Sequence, residues 1–137
     1  MKIMKKITVL LISIILLSSC LNNDDLPNYK YEFIKIDEVS APNNFTYGVK
    51  DTIFIKYTLP NSCYRFNDVL YDYKDTTRTV AVRAIVNLDN ACSEVITQKE
   101  YKLIVNALQK EDYLFKFYKG KDTDGKNIFE EIVIPVN

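Results

Sequence analysis

Short runs of β-branched and aromatic residues, separated by turn residues, extend from Tyr29 to Asn137. Apolar and polar residues alternate within the runs, and no segment of useful length has helical periodicity, which is typical of an all-β domain. Changes of apolar register predict a β-bulge at Phe33-Ile34 and another near Asn67-Asp68. Seven strands are predicted, at residues 29–39, 51–59, 63–73, 78–87, 99–107, 113–118 and 127–136.

Seven short strands within about 110 residues predict two sheets packed around one core. The strand order also resembles that of immunoglobulin-like (Ig-like) domains, above all in the alternation of Tyr113, Phe115 and Phe117 before an Asp124-Gly125 hairpin turn. The resemblance implies a seven-stranded Ig-like β-sandwich over residues 29–137, although the Trp and the inter-sheet disulfide of antibody domains are missing. A small β-barrel is the alternative.

The amino-terminal segment has the organisation of an export signal. Met1 to Lys6 include three lysines, and an apolar run of 11 residues follows from Ile7 to Leu17. This run is too short for a transmembrane anchor, because a helix needs about 20 apolar residues to cross a bilayer. A basic segment, a short apolar segment and small residues in this order predict a secretory signal peptide over residues 1–19.

The four residues Leu17-Ser18-Ser19-Cys20 resemble the lipobox of bacterial lipoproteins. The resemblance implies that Cys20 becomes the first residue of the mature chain and carries fatty acyl chains, which hold a protein at a membrane. Residues 20–28 are then a flexible tether. The acidic pair Asp24-Asp25 resembles the signal of surface-exposed lipoproteins in the Bacteroidota, with a plain solvated linker as the alternative. The expected location is the outer membrane, on its periplasmic or its surface face.

Two cysteines, Cys63 and Cys92, remain once Cys20 is acylated, and exported proteins keep such pairs oxidised. If the third and fourth strands form a hairpin, Cys63 lies roughly opposite Leu88, only four residues before Cys92. We therefore predict a structural Cys63–Cys92 disulfide. A redox or metal-binding thiol pair is disfavoured, because the two cysteines are far apart in sequence and the chain has no histidine.

Composition excludes several classes of function. Without histidine the chain cannot form a Ser-His-Asp triad or a His-ligated metal site, and its three glycines cannot form a glycine-rich phosphate loop. Loss of Lys2, Lys5 and Lys6 with the signal leaves 15 basic and 18 acidic residues, a balance that disfavours nucleic-acid binding. We predict no catalytic residues, no metal site and no cofactor.

Acidic residues are the remaining candidates for chemistry. Neighbours on a strand point to opposite faces, so the acidic pairs are expected to be solvated surface groups. Glu130 has the parity of apolar neighbours, which predicts an inward charge that protects a sheet edge. Residues 122–125 resemble part of a calcium loop, but Gly120 stands in place of the first Asp, so a hairpin tip is expected. The pairs are Asp24-Asp25, Asp37-Glu38, Glu111-Asp112 and Glu130-Glu131.

The sequence predicts a non-enzymatic, lipid-anchored envelope protein whose domain binds an unknown protein or glycan. Inhibition of secreted peptidases through loop 40–48 or loop 88–97 is the alternative, and an enzyme that uses only carboxylates is a third possibility. Most aromatic residues are expected in the core or packed against a sheet. Four tyrosines near strand ends are expected to be exposed, namely Tyr47, Tyr64, Tyr73 and Tyr118.

Overall fold

A computed structural model of the protein describes residues 28–89 and 91–137. Strands make up most of these residues, and among them there is no helix with the length and hydrophobicity needed to cross a membrane. The strands are β1 (Tyr29–Ile34), β2 (Ile36–Ser40), β3 (Lys50–Leu59), β4 (Tyr64–Lys74), β5 (Thr77–Asn87), β6 (Thr97–Asn106), β7 (Tyr113–Lys121) and β8 (Asn127–Ile134).

The strands form two sheets that enclose one core. The smaller sheet has the order β2-β3-β6. In the larger sheet β4 pairs with one edge of β5, and β1 and β7 share the other edge. On that shared edge β1 pairs with residues 82–87 of β5, and β7 pairs in parallel with residues 77–80. β8 pairs with β7. The predicted all-β sandwich is confirmed, with eight strands in place of seven.

The topology can be compared with that of an immunoglobulin domain. The β2-β3-β6 sheet corresponds to strands A, B and E, and the β7-β8 pair corresponds to F and G. The position of β5 is different, because β5 lies between β4 and β7, where an immunoglobulin domain pairs strand C directly with strand F. The long β4–β5 hairpin therefore widens the larger sheet by one strand.

The additional strand arises because the first predicted strand changes sheet at Lys35. β1 pairs with β5 in an unbroken register from Tyr29 to Ile34, whereas β2 pairs with β3 in the other sheet. The predicted bulge at Phe33-Ile34 is therefore wrong. Ile34 and Ile36 both point into the core, each from a different sheet. The odd-numbered apolar residues of β1 consequently lie on the outer side of the larger sheet.

The second predicted bulge is confirmed. The register between β4 and β5 shifts between Phe66 and Asp68. Before the shift Arg65 lies opposite Ile85, and after it Asp68 lies opposite Arg83. Because one extra residue is inserted, Arg65 and Asp68 lie on the same outer side of the sheet.

The core lies between the two sheets, and one loop residue completes it. Phe45, in the loop between β2 and β3, is fully buried and makes edge-to-face contacts with Tyr113 and Phe115, with ring centroids 5.3 and 6.1 Å apart. Its backbone N–H donates to the Pro135 carbonyl (2.8 Å). Loop 40–48 therefore closes one end of the sandwich. The largest fully buried side chains are Phe45, Phe115, Phe117, Ile36, Ile53, Ile55, Ile134, Val80 and Val82.

Candidate functional site

The outer side of the larger sheet carries a row of aromatic side chains. β1 alternates so that Tyr29, Tyr31 and Phe33 all lie on this side, and all three are exposed; Tyr31, for example, is 55% exposed. Single exposed apolar residues are ordinary, whereas a contiguous group of them is a candidate for a functional surface. We call this surface the aromatic face; its members are Tyr29, Tyr31, Phe33, Ile85, Tyr118 and Phe129.

Ring contacts join the aromatic members of this face in two groups. Tyr29 and Tyr31 pack edge to face, with centroids 5.8 Å apart. Tyr118 of β7 lies between Phe33 of β1 and Phe129 of β8, 6.0 Å from each. Contacts of this kind hold the rings in fixed positions. Each of these five rings therefore packs against at least one other ring of the face.

An ion pair lies beside the rings. Arg83 of β5 donates from Nε to Oδ1 of Asp68 (2.9 Å) and also pairs with Oδ2, while its guanidinium lies 5.6 Å from the centre of the Tyr31 ring. The hydrogen bonds from Arg83 hold the pKa of the Asp68 carboxyl below its ordinary value. The pair thus stabilises the fold above that ordinary pKa, and this contribution is lost as the pH falls through the lowered value. Both groups are exposed, so the contribution is small.

A cavity of about 600 Å³ opens at the end of the aromatic face. Residues of β5 form its floor, β1 and β4 provide opposite walls, and the segment around the cysteines closes its end. We call it the disulfide-end cavity. It is lined by Tyr29, Ser62, Cys63, Arg65, Ile85, Asn87 and Ala91.

The predicted disulfide is confirmed. Cys63 and Cys92 are bonded, with their Cα atoms 5.3 Å apart and 29 residues of sequence separation. The backbone N–H of Asn87 donates to the Cys63 carbonyl (3.1 Å), which places Cys63 one residue from the predicted position opposite Leu88. The bond ties the segment after β5 to the start of β4 and gives the cavity a covalently fixed end wall.

The outer side of the smaller sheet is different in character. Lys56 pairs with Glu38 (2.9 Å), and the ammonium of Lys102 lies 5.7 Å from the centre of the Phe54 ring. Charged groups therefore surround Phe54, the exposed aromatic ring among the described residues of β3. The larger group of exposed aromatic rings therefore lies on the aromatic face.

One family comparison is informative. The model of the ORF11 beta-sandwich domain matches residues 53–127, which is more than half of the chain. The chain belongs to this family. The match runs from within β3 to the start of β8 and includes both cysteines of the disulfide and most of the cavity lining. β1, which supplies three rings of the aromatic face, precedes the matched residues. No curated protein and no solved structure was found that matches the chain.

Two of the acidic pairs lie on strands, and the pair on β8 is divided between the two sides of its strand. Glu131 of β8 pairs with Lys116 (2.7 Å) on the outer side. Glu130 pairs with Lys119 (3.1 Å), and the Lys119 ammonium also donates to the Asp37 carbonyl of β2 (3.0 Å). Glu130 therefore has the inward parity predicted for it on an edge strand, and its ion pair links the two sheets.

The Asp-rich segment forms a hairpin turn, as predicted. One oxygen of the Asp122 carboxylate accepts hydrogen bonds from the backbone N–H groups of Asp124 (2.9 Å) and Lys126 (2.8 Å). Gly125 has a φ of +79°, a conformation that glycine adopts without strain. Across residues 28–89 and 91–137, no group of three Cys, Asp or Glu side chains is placed to hold one metal ion.

The four tyrosines expected at the surface have different environments. Tyr47 and Tyr73 are exposed, as predicted. Tyr64 is half-buried and donates to Glu32 (3.2 Å); burial and the Glu32 carboxylate raise the pKa of its hydroxyl. For Tyr118 the prediction is wrong, because Phe33 and Phe129 cover its ring and leave it only 7% exposed.

The three exposed rings of β1 are the functional candidates that the sequence prediction missed. The available signal is that Tyr29, Tyr31 and Phe33 share one parity while Ile34 and Ile36 share the other. Two apolar parities in one run indicate a strand with an apolar outer side as well as a core side. The predicted acylation site, Cys20, and the tether up to residue 27 lie outside the described residues.

Proposed function

We propose that this chain is a lipid-anchored envelope protein and that its β-sandwich domain binds a partner through the aromatic face. The exposed rings of Tyr29, Tyr31 and Phe33 carry the proposal, because aromatic surface left in contact with water adds little to the stability of a folded domain. Tyrosine and phenylalanine are enriched at interfaces, where they supply large contact areas at a low entropic cost. The proposed role is recognition or assembly and involves no catalysis.

The anchoring part of the proposal rests on the sequence. The lipobox-like Leu17 to Cys20 follows a basic and apolar signal, which supports a bacterial lipoprotein of the Bacteroidota type in the outer membrane. Residues 20–27 can extend about 28 Å at most, at roughly 3.5 Å per residue. The domain would therefore meet its partner close to the membrane, on the periplasmic or the surface face.

Site-specific photocrosslinking in cells tests the binding role. We expect the full-length chain with p-benzoylphenylalanine at position 31 to give a covalent adduct of discrete mass after irradiation. The matched control has the same group in place of Phe54, a ring that is 37% exposed on the smaller sheet, and it should give none. Absence of an adduct from position 31, or the same adducts from both positions, would refute binding through the aromatic face.

Peptidase inhibition is the second candidate, and the segment after the disulfide favours it. Ser62 and Ser93 exchange two hydrogen bonds, in which the Ser62 N–H donates to the Ser93 carbonyl (3.1 Å) and the Ser93 N–H donates to the Ser62 hydroxyl oxygen (2.9 Å). The next residues present Val95 and Ile96, the latter 72% exposed. A tethered segment with projecting apolar side chains is suited to a peptidase cleft. Loop 40–48 is less suited, because its Phe45 is buried in the core.

A panel of secreted serine and cysteine peptidases tests this candidate. If one is inhibited, Ile96→Asp should raise the inhibition constant roughly 30-fold, since loss of a central apolar contact costs about 2 kcal/mol or more. Ile104→Asp is the matched control, because Ile104 is 67% exposed on the smaller sheet, away from the segment. Equal effects of the two substitutions, or no inhibition by the wild type, would exclude the candidate.

A further inference from the structure

We propose that the disulfide-end cavity binds an acidic sugar residue, a hexuronate within an oligosaccharide or polysaccharide. The cavity adjoins the aromatic face through Tyr29, so this inference rests on the proposed function and specifies its ligand. Its volume of about 600 Å³ lies within the range of roughly 300–1,000 Å³ that small-molecule sites occupy.

The three arginines of the chain indicate the charge of the ligand. Arg78 donates to the carbonyls of Asp75 and Thr77 (2.9 Å each), and Arg83 is paired with Asp68. The Arg65 guanidinium, by contrast, has no hydrogen bond, ion pair or ring contact within the described part of the chain, and it lines the cavity. Among residues 28–89 and 91–137, no Asp or Glu side chain lines the cavity with it. A planar cation without a partner is suited to two parallel hydrogen bonds with an incoming carboxylate.

The other polar side chains of the cavity also offer donors. The Asn87 side-chain oxygen already accepts from the Asp89 N–H (2.8 Å), which leaves the Asn87 NH₂ group to donate. The Ser62 hydroxyl oxygen accepts from the Ser93 N–H, which leaves its O–H to donate. A ligand that fits these groups is rich in acceptor oxygens. Sugar hydroxyl, ring and carboxylate oxygens meet this demand.

The apolar part of the cavity completes the match to a sugar ring. Tyr29 of β1 and Arg65 of β4 stand on opposite sides of Ile85 and Asn87, which belong to the central strand β5. A hexuronate has an apolar C–H face and a carboxylate that projects from the rim of its ring. The Tyr29 ring therefore meets the C–H face of the sugar, and the Arg65 guanidinium meets its carboxylate. The edge-to-face contact with Tyr31 holds the Tyr29 ring in place before the sugar binds.

Titration of the purified full-length chain with uronate oligosaccharides tests the inference. The probes are oligosaccharides of alginate, polygalacturonate and hyaluronan, each compared with its carboxyl-reduced, neutral counterpart. We expect at least one acidic probe to bind roughly tenfold or more tightly than its neutral form, the scale of a charged hydrogen bond. Arg65→Gln should abolish this difference. Lys50→Gln, which removes one charge from the smaller sheet, should preserve it, and thermal unfolding should show both variants folded.

Four results would overturn the inference. They are equal affinity for the acidic and the neutral probes, equal loss with Arg65→Gln and Lys50→Gln, binding of poly-glutamate as tightly as the best sugar, and no binding of any acidic probe at millimolar concentration. A photocrosslink from position 31 together with any of these would retain the binding role and reject the acidic sugar. Absence of that crosslink would reject the aromatic face itself.

Discussion

We expect alanine substitution of both Cys63 and Cys92 in the full-length chain to lower the free energy of unfolding by about 3–4 kcal/mol. The reason is that the unfolded chain is no longer closed into a loop by a bond between cysteines 29 positions apart. The midpoint of thermal unfolding, Tm, should fall by about 15 °C for a domain of this size. Urea denaturation followed by circular dichroism measures the change. Cys63 is buried, so substitution also removes packing and adds to the loss.

Two controls isolate the covalent bond from the packing. Reduction of the wild-type protein with dithiothreitol breaks the bond without removing atoms, and it should reproduce most of the loss. The Cys20→Ala variant leaves the bond intact and should unfold at the wild-type denaturant concentration. Unchanged stability of the reduced protein, or alkylation of two thiols in the exported, unreduced protein, would show that the disulfide does not stabilise the fold.

Local sequence pattern predicts most of the fold. Inward residues recur at every second position in β3, β5 and β7, so their apolar runs identify both the strands and their buried sides. The register of the β4–β5 hairpin follows from its turn at residues 74–77, and for this reason Cys63 and Cys92 could be paired from the sequence. The bulge near Asn67-Asp68 could also be predicted from local pattern, because the parity of the apolar residues changes within one strand.

The change of sheet at Lys35 could not be predicted from local pattern. A strand that crosses from one sheet to the other keeps an extended backbone, and Ile34 and Ile36 keep one parity through the crossing. Only the identity of the pairing partners, β5 for β1 and β3 for β2, distinguishes the crossing from a continuous strand. Partners far apart in sequence are determined by tertiary packing, and a single sequence contains no direct signal for them.

The exposure of the β1 rings could not be predicted either, because it also depends on tertiary packing. Tyr29, Tyr31 and Phe33 alternate in the way that core residues do, and their exposure follows from which side of β1 the smaller sheet covers. Tyr118 shows the converse case, because its position near the end of β7 suggested exposure while two rings from other strands cover it. The cavity depends on three strands and a disulfide that meet only in the folded domain.

We expect the Cys20→Ala substitution to abolish acylation completely, because alanine has no sulfur to which the lipid can be attached. Each methylene buried in a membrane contributes about 0.8 kcal/mol, so two or more acyl chains hold a protein at the bilayer for long periods. Cells that express the full-length chain would be fed an alkyne-tagged palmitate, and the protein would be isolated and its label measured together with the mass of its amino terminus.

Labelled protein in the membrane fraction, with a mature chain that begins at Cys20, is the expected result for the wild type. Cys20→Ala should have no label, and the matched variant Cys63→Ala should keep it. Wild-type protein that reaches the membrane without label, or a Cys20→Ala variant labelled as strongly as the wild type, would contradict the lipid anchor on which the proposed envelope role depends.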